Sequence, residues 1–354
     1  MPLNTVIVGC GHIAKAYASN LLTYPGIKLT GFFDLDLPRA DAFANEFGGR
    51  SYPTLDAVLA DTAVDLVVNL TIHHAHEEVV ARCLGAGKHV HTEKPLALSA
   101  AAAQRLAAQA DKHGLRLSSA PSTWLGEAQQ SAAAVLASGA LGRIRQVFAE
   151  INHGRIESWH PNPSCFYEVG VLWDVCIYPL TLLTAFFGPV RSVQSFQRTL
   201  LPERRTQNGT PFVLQKPEFI VAMLDFENGC AARLSGNFYN LGTQQGSAVE
   251  FHGDAGSLIL GSSFLFNARV ESCQAGQPLT AVERPDPGVD GIEFGRGVRE
   301  LARAIEAGVP HPCSAHQAAH VIEIMEAIDA SASDQGRPYP VHSAFPHPRF
   351  SWPS

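Results

Sequence analysis

A glycine-rich stretch near the N-terminus has the residue types and spacing needed to hold a pyrophosphate. Residues 9–14 read Gly-Cys-Gly-His-Ile-Ala, a G-x-G-x-x-A pattern between a predicted strand and a predicted helix. Gly9 permits the tight turn, Gly11 lets the backbone approach the phosphates, and Ala14 allows close packing of the helix on the strand. The first turn of the helix offers free N–H groups and the positive end of its dipole. The pattern predicts dinucleotide binding.

An acidic residue ends the second predicted strand, where a ribose is recognised in such folds. Asp34 lies about 20 residues after the glycine loop. A carboxylate at this position accepts hydrogen bonds from the adenosine ribose hydroxyls and repels a 2′-phosphate. NAD is therefore the predicted cofactor. Asp36 is an alternative carboxylate for the same role, and Arg39 keeps NADP open as a second choice.

A nearly apolar stretch, residues 169–187, carries polar side chains at helical spacing. Its length is close to that of a membrane span, but an ionisable residue such as Asp174 is costly in a lipid-facing helix. Asp174, Tyr178 and Thr181 form one stripe because they are i, i+4 and i+7. Buried polar groups need partners, so we expect a helix buried in the protein whose stripe faces a cleft. The alternative is a stabilising core network without a chemical role.

The elements that must position these residues change in kind after about 120 residues. Strands are predicted at 5–8, 27–33, 64–70, near 90 and at 115–118, with helices at 13–22, 39–47, 77–84 and 100–110. A helix at 127–136 is then followed by strands at 143–151, 190–200, 219–226, 230–238, 248–252 and 257–260, and by helices at 298–307 and 317–332. The predicted fold class is α/β. A Rossmann domain with a parallel sheet occupies 1–122, and a C-terminal α+β domain with a large, mostly antiparallel open sheet occupies 123–354.

Composition excludes several function classes. The chain has 354 residues, a formal net charge of −7 and no Lys/Arg cluster, so no dedicated nucleic-acid or anionic-membrane surface is expected. Seven scattered cysteines without a C-x-x-C pair argue against a disulfide scaffold or a zinc ribbon. No signal-peptide pattern precedes the first strand, which predicts a cytoplasmic protein.

Two further motifs, together with the glycine loop, carry a resemblance to a known family. Residues 87–96 read Gly-Lys-His-Val-His-Thr-Glu-Lys-Pro-Leu, so a Glu-Lys-Pro element follows a Rossmann strand, and Tyr178 follows Asp174 at i+4. Over essentially its whole length the chain resembles the Gfo/Idh/MocA oxidoreductases, the relatives of glucose–fructose oxidoreductase and inositol dehydrogenase. Tyr178 makes it similar to members that carry tyrosine in place of the commoner histidine. Cys176 stands where a glycine is usual.

The resemblance implies residues for each part of a hydride transfer between nicotinamide and a carbinol carbon. Such a transfer needs a base for the hydroxyl proton and a cation for the developing oxyanion. The resemblance implies that Lys94 lies beside the nicotinamide and the substrate. Tyr178 is then the best candidate for proton exchange, because nearby cations favour the phenolate, and Asp174 would bind the substrate or orient the lysine. Lys94 itself and His160 are the alternative proton carriers.

The predicted site has three groups of residues. The catalytic residues are Lys94, Tyr178 and Asp174. The cofactor residues are Gly9, Gly11, His12, Ile13, Asp34, Arg39, Thr71, His76, Glu93 and Lys94. The substrate residues are Lys94, Trp159, His160, Asp174 and Tyr178.

Two groups of aromatic and imidazole side chains allow more than one interpretation. Trp159 can stack on a sugar ring and His160 can hydrogen-bond its hydroxyls, although a rigid proline-rich loop is the alternative. His73, His74 and His76 lack a cysteine or carboxylate partner set, so no metal is predicted. By resemblance, His76 belongs to the cofactor site.

The predicted function is that of an enzyme, an NAD(P)-dependent dehydrogenase or reductase acting on CH–OH groups of a sugar, a polyol or a related cyclic alcohol. One alternative is a glycosidase that retains NAD and acts through transient oxidation. Another is a non-catalytic regulator that binds NAD. The expected partner is a small-molecule substrate, and the open sheet predicts a homodimer or homotetramer.

Overall fold

The protein forms two compact units in the computed structural model, which describes residues 1–284, 286 and 288–346. The first unit comprises Met1–Leu125 and Glu293–Ile322, and the second comprises Gly126–Ile292 and the described residues from Glu323 onward. The domain boundary after residue 122 stays a prediction. The structure differs from it by grouping Glu293–Ile322 with the N-terminal residues, because Val298 and Leu301 are buried in the core of the first unit.

The elements have the following bounds. The strands are β1 (Leu3–Val8), β2 (Ile27–Phe33), β3 (Arg50–Ser51), β4 (Leu66–Asn69), β5 (His89–Thr92), β6 (Leu117–Ser119), β7 (Ile144–Asn152), β8 (Val190–Arg198), β9 (Glu203–Arg205), β10 (Pro211–Val213), β11 (Phe219–Phe226), β12 (Ala231–Asn237), β13 (Val249–Gly253), β14 (Gly256–Leu260), β15 (Val270–Gln274), β16 (Thr280–Ala281) and β17 (Tyr339–Pro340). The α-helices are α1 (Ala14–Leu21), α2 (Leu37–Phe47), α3 (Leu55–Ala60), α4 (His76–Gly85), α5 (Ala100–Lys112), α6 (Glu127–Ala137), α7 (Ser164–Val171), α8 (Ile177–Phe187), α9 (Arg296–Ala307) and α10 (Ala315–Ser333).

The first unit is built on a parallel six-stranded sheet in the order β3-β2-β1-β4-β5-β6. All four residues of β4 are buried, as are Thr5–Val8 of β1, which suits strands covered by helices on both faces. Strand β1 lies between β2 and β4, so the strand order reverses there. Open α/β sheets bind ligands in the crevice outside the carboxyl ends of the strands at such a point. The predicted Rossmann sheet is confirmed.

The second unit contains a nine-stranded sheet in the order β16-β15-β14-β13-β7-β12-β11-β8-β17. The β7–β12 pair is parallel and the other neighbours are antiparallel, which confirms the predicted mostly antiparallel sheet. Helix α8 contributes Phe186 and Phe187, whose rings lie about 6 Å from those of Phe251 and Phe226 on the sheet.

The predicted single helix over 169–187 is interrupted in the structure. Gly170 has φ +83° inside α7, and a π-helical turn, Leu172–Cys176, joins α7 to α8. Pro179 follows in the first turn of α8, where its missing N–H disturbs the hydrogen-bond ladder least. Within the described residues, the run Ser164–Phe187 is long and apolar enough to cross a membrane, but 78% of an apolar 18-residue stretch within it is buried inside the protein. It is a core element of the second unit.

Candidate functional site

The glycine loop packs directly on the end of the neighbouring strand and leaves an open space at its second glycine. Gly9 has φ +94°, and a Cβ there would lie 2.7 Å from backbone atoms of Leu70 and Thr71. At Gly11, by contrast, a Cβ would meet no atom within 4 Å. Helix α1 begins at Ala14 without a side-chain cap on its N–H groups. The loop therefore presents uncapped N–H donors beside free space, which suits a phosphate.

Asp34 is held between the glycine loop and the turn that follows β2. Its Oδ2 accepts a hydrogen bond from the Cys10 N–H (2.7 Å), and its Oδ1 accepts one from the Asp36 N–H (2.8 Å). A carboxylate has about four lone-pair sites, so ribose hydroxyls can still donate to it. The Asp36 carboxylate pairs with Arg39 at 3.2 Å, closer than the 3.7 Å between Arg39 and Asp34, and the Asp36 and Arg39 side chains are half-exposed. Asp34 is thus the better placed of the two carboxylates.

Cys10, the residue between the two glycines of the loop, adds no charge to this site. The Cys10 side chain is buried, and burial, followed by the negative charge of Asp34, raises the pKa of its thiol to about 12. The thiol is therefore neutral at physiological pH and does not oppose an anionic ligand.

A cavity of about 650 Å³ lies along this edge of the first unit. Predicted cofactor residues that line it are Gly9, Gly11, Asp34, Arg39 and Thr71, and its apolar walls include Leu35, Leu37, Leu55, Ile72 and Val79. Apolar walls with a few placed polar groups are typical of nucleotide sites. The residues present fit the adenosine and pyrophosphate parts of a dinucleotide.

The Glu-Lys-Pro element begins just beyond the end of β5. The Glu93 N–H donates to the Asn69 carbonyl oxygen (2.9 Å), and Glu93 Oε2 accepts the N–H of Lys94 (3.0 Å). The hydroxyl of Tyr17, a residue of α1, donates to Glu93 Oε1 (2.7 Å). Lys94 is half-buried, and the Lys94–Pro95 peptide bond is cis. The Glu93 carboxylate thus fixes the backbone at Lys94.

His76 supports two loops at the cofactor edge. The imidazole is buried, with Nδ1 2.7 Å from the Pro95 carbonyl oxygen and Nε2 2.9 Å from that of Thr71. Asn69 Oδ1 accepts hydrogen bonds from the Thr71 N–H (3.3 Å) and Oγ1 (2.8 Å). His76 is therefore a bridge between loop backbones. Across the described ranges, no group of three or more His, Cys, Asp or Glu side chains is arranged to hold a metal ion.

In the second unit, the predicted polar stripe is only partly realised. Asp174 lies in the π-helical turn and Tyr178 in the first turn of α8, and both are half-buried. Thr181 is buried, and its hydroxyl donates to the Ile177 carbonyl oxygen of the same helix (2.8 Å). A threonine can satisfy its hydroxyl in this way without a partner from another element, and the prediction that the stripe faces a cleft stays a prediction.

Phe264 is a neighbour of Tyr178 that sequence reasoning missed. The two ring centroids are 5.7 Å apart. The loop that carries Phe264 is fixed by a buried side chain. The Gln129 amide donates to the carbonyl oxygens of Ser262 (2.9 Å) and Leu265 (3.0 Å). No pattern in the sequence links residues this far apart along the chain.

The cysteine at the usual glycine position is accommodated by a glycine elsewhere. Cys176 is buried at the end of the π-helical turn, and a Cβ at Gly236 on β12 would lie only 2.5 Å from its Sγ. Gly236 thus provides the space for the Cys176 side chain. Burial raises the pKa of this thiol, so it stays protonated.

Trp159 and His160 lie together in the loop after β7. The indole is about half-exposed and makes edge-on contacts with His153, His160 and Phe166, with ring centroids 5.4–5.6 Å apart. His160 Nδ1 contacts the backbone of Asn162, with its carbonyl oxygen at 2.8 Å and its nitrogen at 3.1 Å. The loop therefore presents an ordered aromatic surface.

Comparison with known proteins decides the family. Residues 3–120 match the model described as "Oxidoreductase family, NAD-binding Rossmann fold", and residues 129–259 match the "GFO/IDH/MocA C-terminal domain". The chain belongs to the Gfo/Idh/MocA oxidoreductase family. The predicted family is confirmed, and residues 3–120 are an NAD-binding Rossmann domain, while the tyrosine-type site at Tyr178 stays a prediction.

Curated relatives of this Gfo/Idh/MocA protein include named dehydrogenases and reductases. Glucose-6-phosphate 3-dehydrogenase of Bacillus subtilis (strain 168) is 34% identical over 112 residues, 32% of this chain and 31% of that protein. The dTDP-3,4-didehydro-2,6-dideoxy-alpha-D-glucose 3-reductase of Actinomadura kijaniata is 26% identical over 324 residues, 88% of this chain and 90% of that protein. The chain spans 55% of an oxidoreductase of Rhizobium meliloti (31% identical over 187 residues) and 57% of trans-1,2-dihydrobenzene-1,2-diol dehydrogenase of Mus musculus (30% identical over 192 residues), so it spans about half the length of these two relatives.

Solved structures share the fold of this protein over 97% of the chain. Levoglucosan dehydrogenase in complex with NADH and L-sorbose has a TM-score of 0.83 at 19% identity and covers 97% of this chain and 100% of that one. An NAD-binding oxidoreductase from Klebsiella pneumoniae has a TM-score of 0.86 at 20% identity, with coverages of 97% and 100%. At this identity the likeness concerns the fold.

Proposed function

We propose that this Gfo/Idh/MocA protein is an NAD-dependent dehydrogenase or reductase acting on a hydroxyl or carbonyl carbon of a sugar, a polyol or a related cyclic alcohol. The observation that carries the proposal is the cavity where Gly11 leaves free space beside the uncapped start of α1 and Asp34 offers a carboxylate. The substrate class is supported by relatives named as a sugar-phosphate dehydrogenase, a deoxysugar 3-reductase and a trans-dihydrodiol dehydrogenase.

NAD is the proposed physiological cofactor, with NADP as the weaker ligand. Asp34 lines the cavity, and a carboxylate at this position would repel a 2′-phosphate. Arg39 approaches Asp34 at 3.7 Å and also pairs with Asp36, so its charge is already partly matched by carboxylates. His12 and Ile13, at the start of α1, are proposed to contribute backbone N–H groups to the phosphates.

Three side chains are proposed to serve the reaction, to which a bound nicotinamide contributes the hydride donor or acceptor. The Lys94 ammonium lowers the energy of the oxyanion that develops on the substrate. The Tyr178 hydroxyl exchanges the proton with the substrate oxygen. Asp174, one helical turn before Tyr178, binds a substrate hydroxyl or orients the reacting groups. The contact of Tyr178 with Phe264 gives the phenol a defined orientation, which supports this role.

Trp159 and His160 are proposed to recognise the substrate. The half-exposed indole offers an apolar face on which the C–H face of a sugar ring can stack. His160, whose Nδ1 faces the Asn162 backbone, would use its Nε2 toward a hydroxyl.

The test is a panel of sugars, polyols and inositols assayed with NAD and with NADP, following the reduced nicotinamide. We expect net NADH formation with at least one free sugar or polyol. Lys94→Ala and Tyr178→Phe should each lower kcat by about 10²–10⁴-fold, whereas Lys112→Ala, at the exposed end of α5, and Tyr339→Phe should not. Release of an aglycone without net NADH would indicate an NAD-retaining glycosidase. Cofactor binding without turnover of any substrate would indicate a regulator.

We also propose that the protein is a homodimer or homotetramer that associates through the open face of its large sheet. The register places Met223, Arg233, Phe148, Glu250 and Ile259 side by side across this face. On the neighbouring row, Val221 pairs with Phe196. Of these side chains, Phe196 is 52% exposed and Met223, in the first row, is 45% exposed. Exposed apolar side chains on one face are typical of an interface. Sedimentation should show a dimer or larger species, and Met223→Lys should shift it toward the monomer.

A cytoplasmic location is proposed from the thiols. All seven cysteines, each within the described residues, are free. Free thiols are usual in reducing compartments. Fractionation of cells that express the full-length protein tests this location.

A further inference from the structure

Lys94 lies beyond the part of the chain that the parallel sheet holds. The pairing of β4 with β5 ends at Asn69 and Thr92. The Glu93 N–H still donates to the Asn69 carbonyl oxygen, and the segment beyond it is fixed by loop contacts and by side chains. Those contacts are of interest because the position of Lys94 decides how well its charge can serve a reacting oxygen.

The N-terminal flank of Lys94 is tied to the helix that follows the glycine loop. Tyr17 is 1% exposed and lies one turn inside α1. Its hydroxyl donates to Glu93 Oε1 at 2.7 Å, while Glu93 Oε2 accepts the N–H of Lys94 at 3.0 Å. One carboxylate therefore connects α1, which begins at the predicted pyrophosphate site, with the backbone of Lys94.

The C-terminal flank of Lys94 is tied to the loop after β4. The ring of His76, 1% exposed, spans the carbonyl oxygens of Pro95 (2.7 Å) and Thr71 (2.9 Å). Both oxygens only accept hydrogen bonds, so a neutral imidazole donates its single N–H to one of them, and only the protonated ring donates to both. Thr71 lines the cofactor cavity and is held by Asn69. The two flanks of Lys94 are thus connected to two parts of the cofactor site, helix α1 after the glycine loop and the loop after β4.

We propose that Tyr17 and His76 are positioning residues that hold the two flanks of Lys94, through the Glu93 carboxylate and the Pro95 carbonyl group, and that they link the placement of Lys94 to occupancy of the cofactor site. This inference rests on the proposed role of Lys94 in turnover. A dinucleotide that orders the glycine loop and the loop after β4 also orders Lys94. The link acts on turnover more than on cofactor affinity, because Tyr17 and Glu93 do not line the cavity.

The first test uses hydrogen exchange and does not depend on activity. The Lys94 N–H donates to Glu93 Oε2, so its exchange reports the link directly. In the full-length protein we expect Tyr17→Phe and Glu93→Gln to speed exchange of this amide by about tenfold or more. NAD should slow the exchange of this amide in the wild-type protein, and it should slow it much less in the two variants. Unchanged exchange in both variants would overturn the inference.

A matched control is available in the same unit. The Tyr24 hydroxyl donates to Glu293 Oε1 at 2.6 Å, a tyrosine–glutamate hydrogen bond of similar length that does not involve the Lys94 segment. Tyr24→Phe should leave the exchange of the Lys94 amide unchanged. An equal acceleration in Tyr24→Phe and Tyr17→Phe would mean general loosening of the unit and would also overturn the inference.

The second test separates turnover from binding. With a substrate found in the panel, Tyr17→Phe should lower kcat by about 10- to 100-fold, since small misplacements of a reacting group have effects of this size, while the Kd for NAD changes by less than about threefold. In a Lys94→Ala background the same substitution should have no further effect, because residues that act as a unit are not additive. An additive loss would contradict action through Lys94. Normal turnover by Lys94→Ala would remove its proposed catalytic role, and the exchange test would still decide the link.

Discussion

The two glycines of the phosphate loop should respond in opposite ways to the same substitution. Gly9 has φ +94°, and its missing Cβ would lie 2.7 Å from backbone atoms of Leu70 and Thr71. Gly11 has no such neighbour within 4 Å. We expect Gly9→Ala to destabilise the folded protein and Gly11→Ala to spare the fold but prevent the close approach of a pyrophosphate.

The magnitude for Gly9→Ala follows from two costs. A left-handed backbone conformation costs an alanine about 1–2 kcal/mol, and overpacking against backbone that cannot move away costs about 1–3 kcal/mol. The sum is roughly 3 kcal/mol of unfolding free energy. For a unit of about 150 residues this corresponds to a fall in Tm of roughly 10 °C. Gly11→Ala should stay within about 0.5 kcal/mol, as substitutions without new contacts do.

The assay combines thermal unfolding of the ligand-free protein with calorimetric titration of NAD. Gly26→Ala is the control, because a Cβ there also meets no atom within 4 Å and the residue lies outside the loop. We expect Gly11→Ala to keep its Tm and to lose at least about tenfold in NAD affinity, equivalent to about 1.4 kcal/mol. Full NAD affinity in Gly11→Ala, or a Tm loss equal to that of Gly9→Ala, would refute the reasoning.

Three further predictions concern cofactor choice, pH and a buried ion cluster. Asp34→Ser should weaken NAD binding and strengthen NADP binding, and unchanged affinities for both in titration would remove Asp34 from the ribose site. Burial lowers the pKa of His91 from 6.5 to about 3, so between these pH values the unfolded state binds more protons than the folded state. The unfolding free energy should therefore fall as the pH drops below 6.5, by about 2 kcal/mol at pH 5 from this residue. In His91→Asn the unfolding free energy, measured by denaturant titration at several pH values, should depend less on pH, and an equal pH dependence would argue against a buried neutral imidazole. Arg204, 1% exposed, pairs with Glu218 at 3.1 Å and Glu157 at 3.0 Å, so Arg204→Met should cost about 3–5 kcal/mol, and a second change, Glu218→Gln, should restore part of it in chemical denaturation.

Most of the first unit could be predicted from sequence because its signals are local. The G-x-G-x-x-A loop, the apolar strand runs and the glycines that end helices all act within a few residues of one another. Short elements such as α3 and β15 were missed because few residues carry their pattern. Helix α9 could not be placed with the first unit, because an amphipathic pattern shows that a face is buried but not which core receives it.

In the candidate site, too, residues with a local sequence signal could be predicted, and contacts between residues far apart in the chain could not. Asp34 was predicted because the end of a strand and the glycine loop follow a known spacing. The contact of Tyr17 with Glu93 and that of Phe264 with Tyr178 join residues far apart in the chain. The stripe on the apolar helix was only partly predicted, because the spacing rule cannot foresee a π-helical turn or a threonine that bonds its own helix.

The central claim is that the protein moves a hydride between a carbinol carbon and NAD. The most direct test is a single turnover with a substrate from the panel that carries deuterium on its reacting carbon, followed by mass measurement of the recovered cofactor. We expect the deuterium to be found in the reduced nicotinamide ring, and Lys94→Ala and Tyr178→Phe to slow its appearance by about 10²–10⁴-fold. Oxidised substrate whose deuterium has gone to solvent, with none in the cofactor, would contradict it.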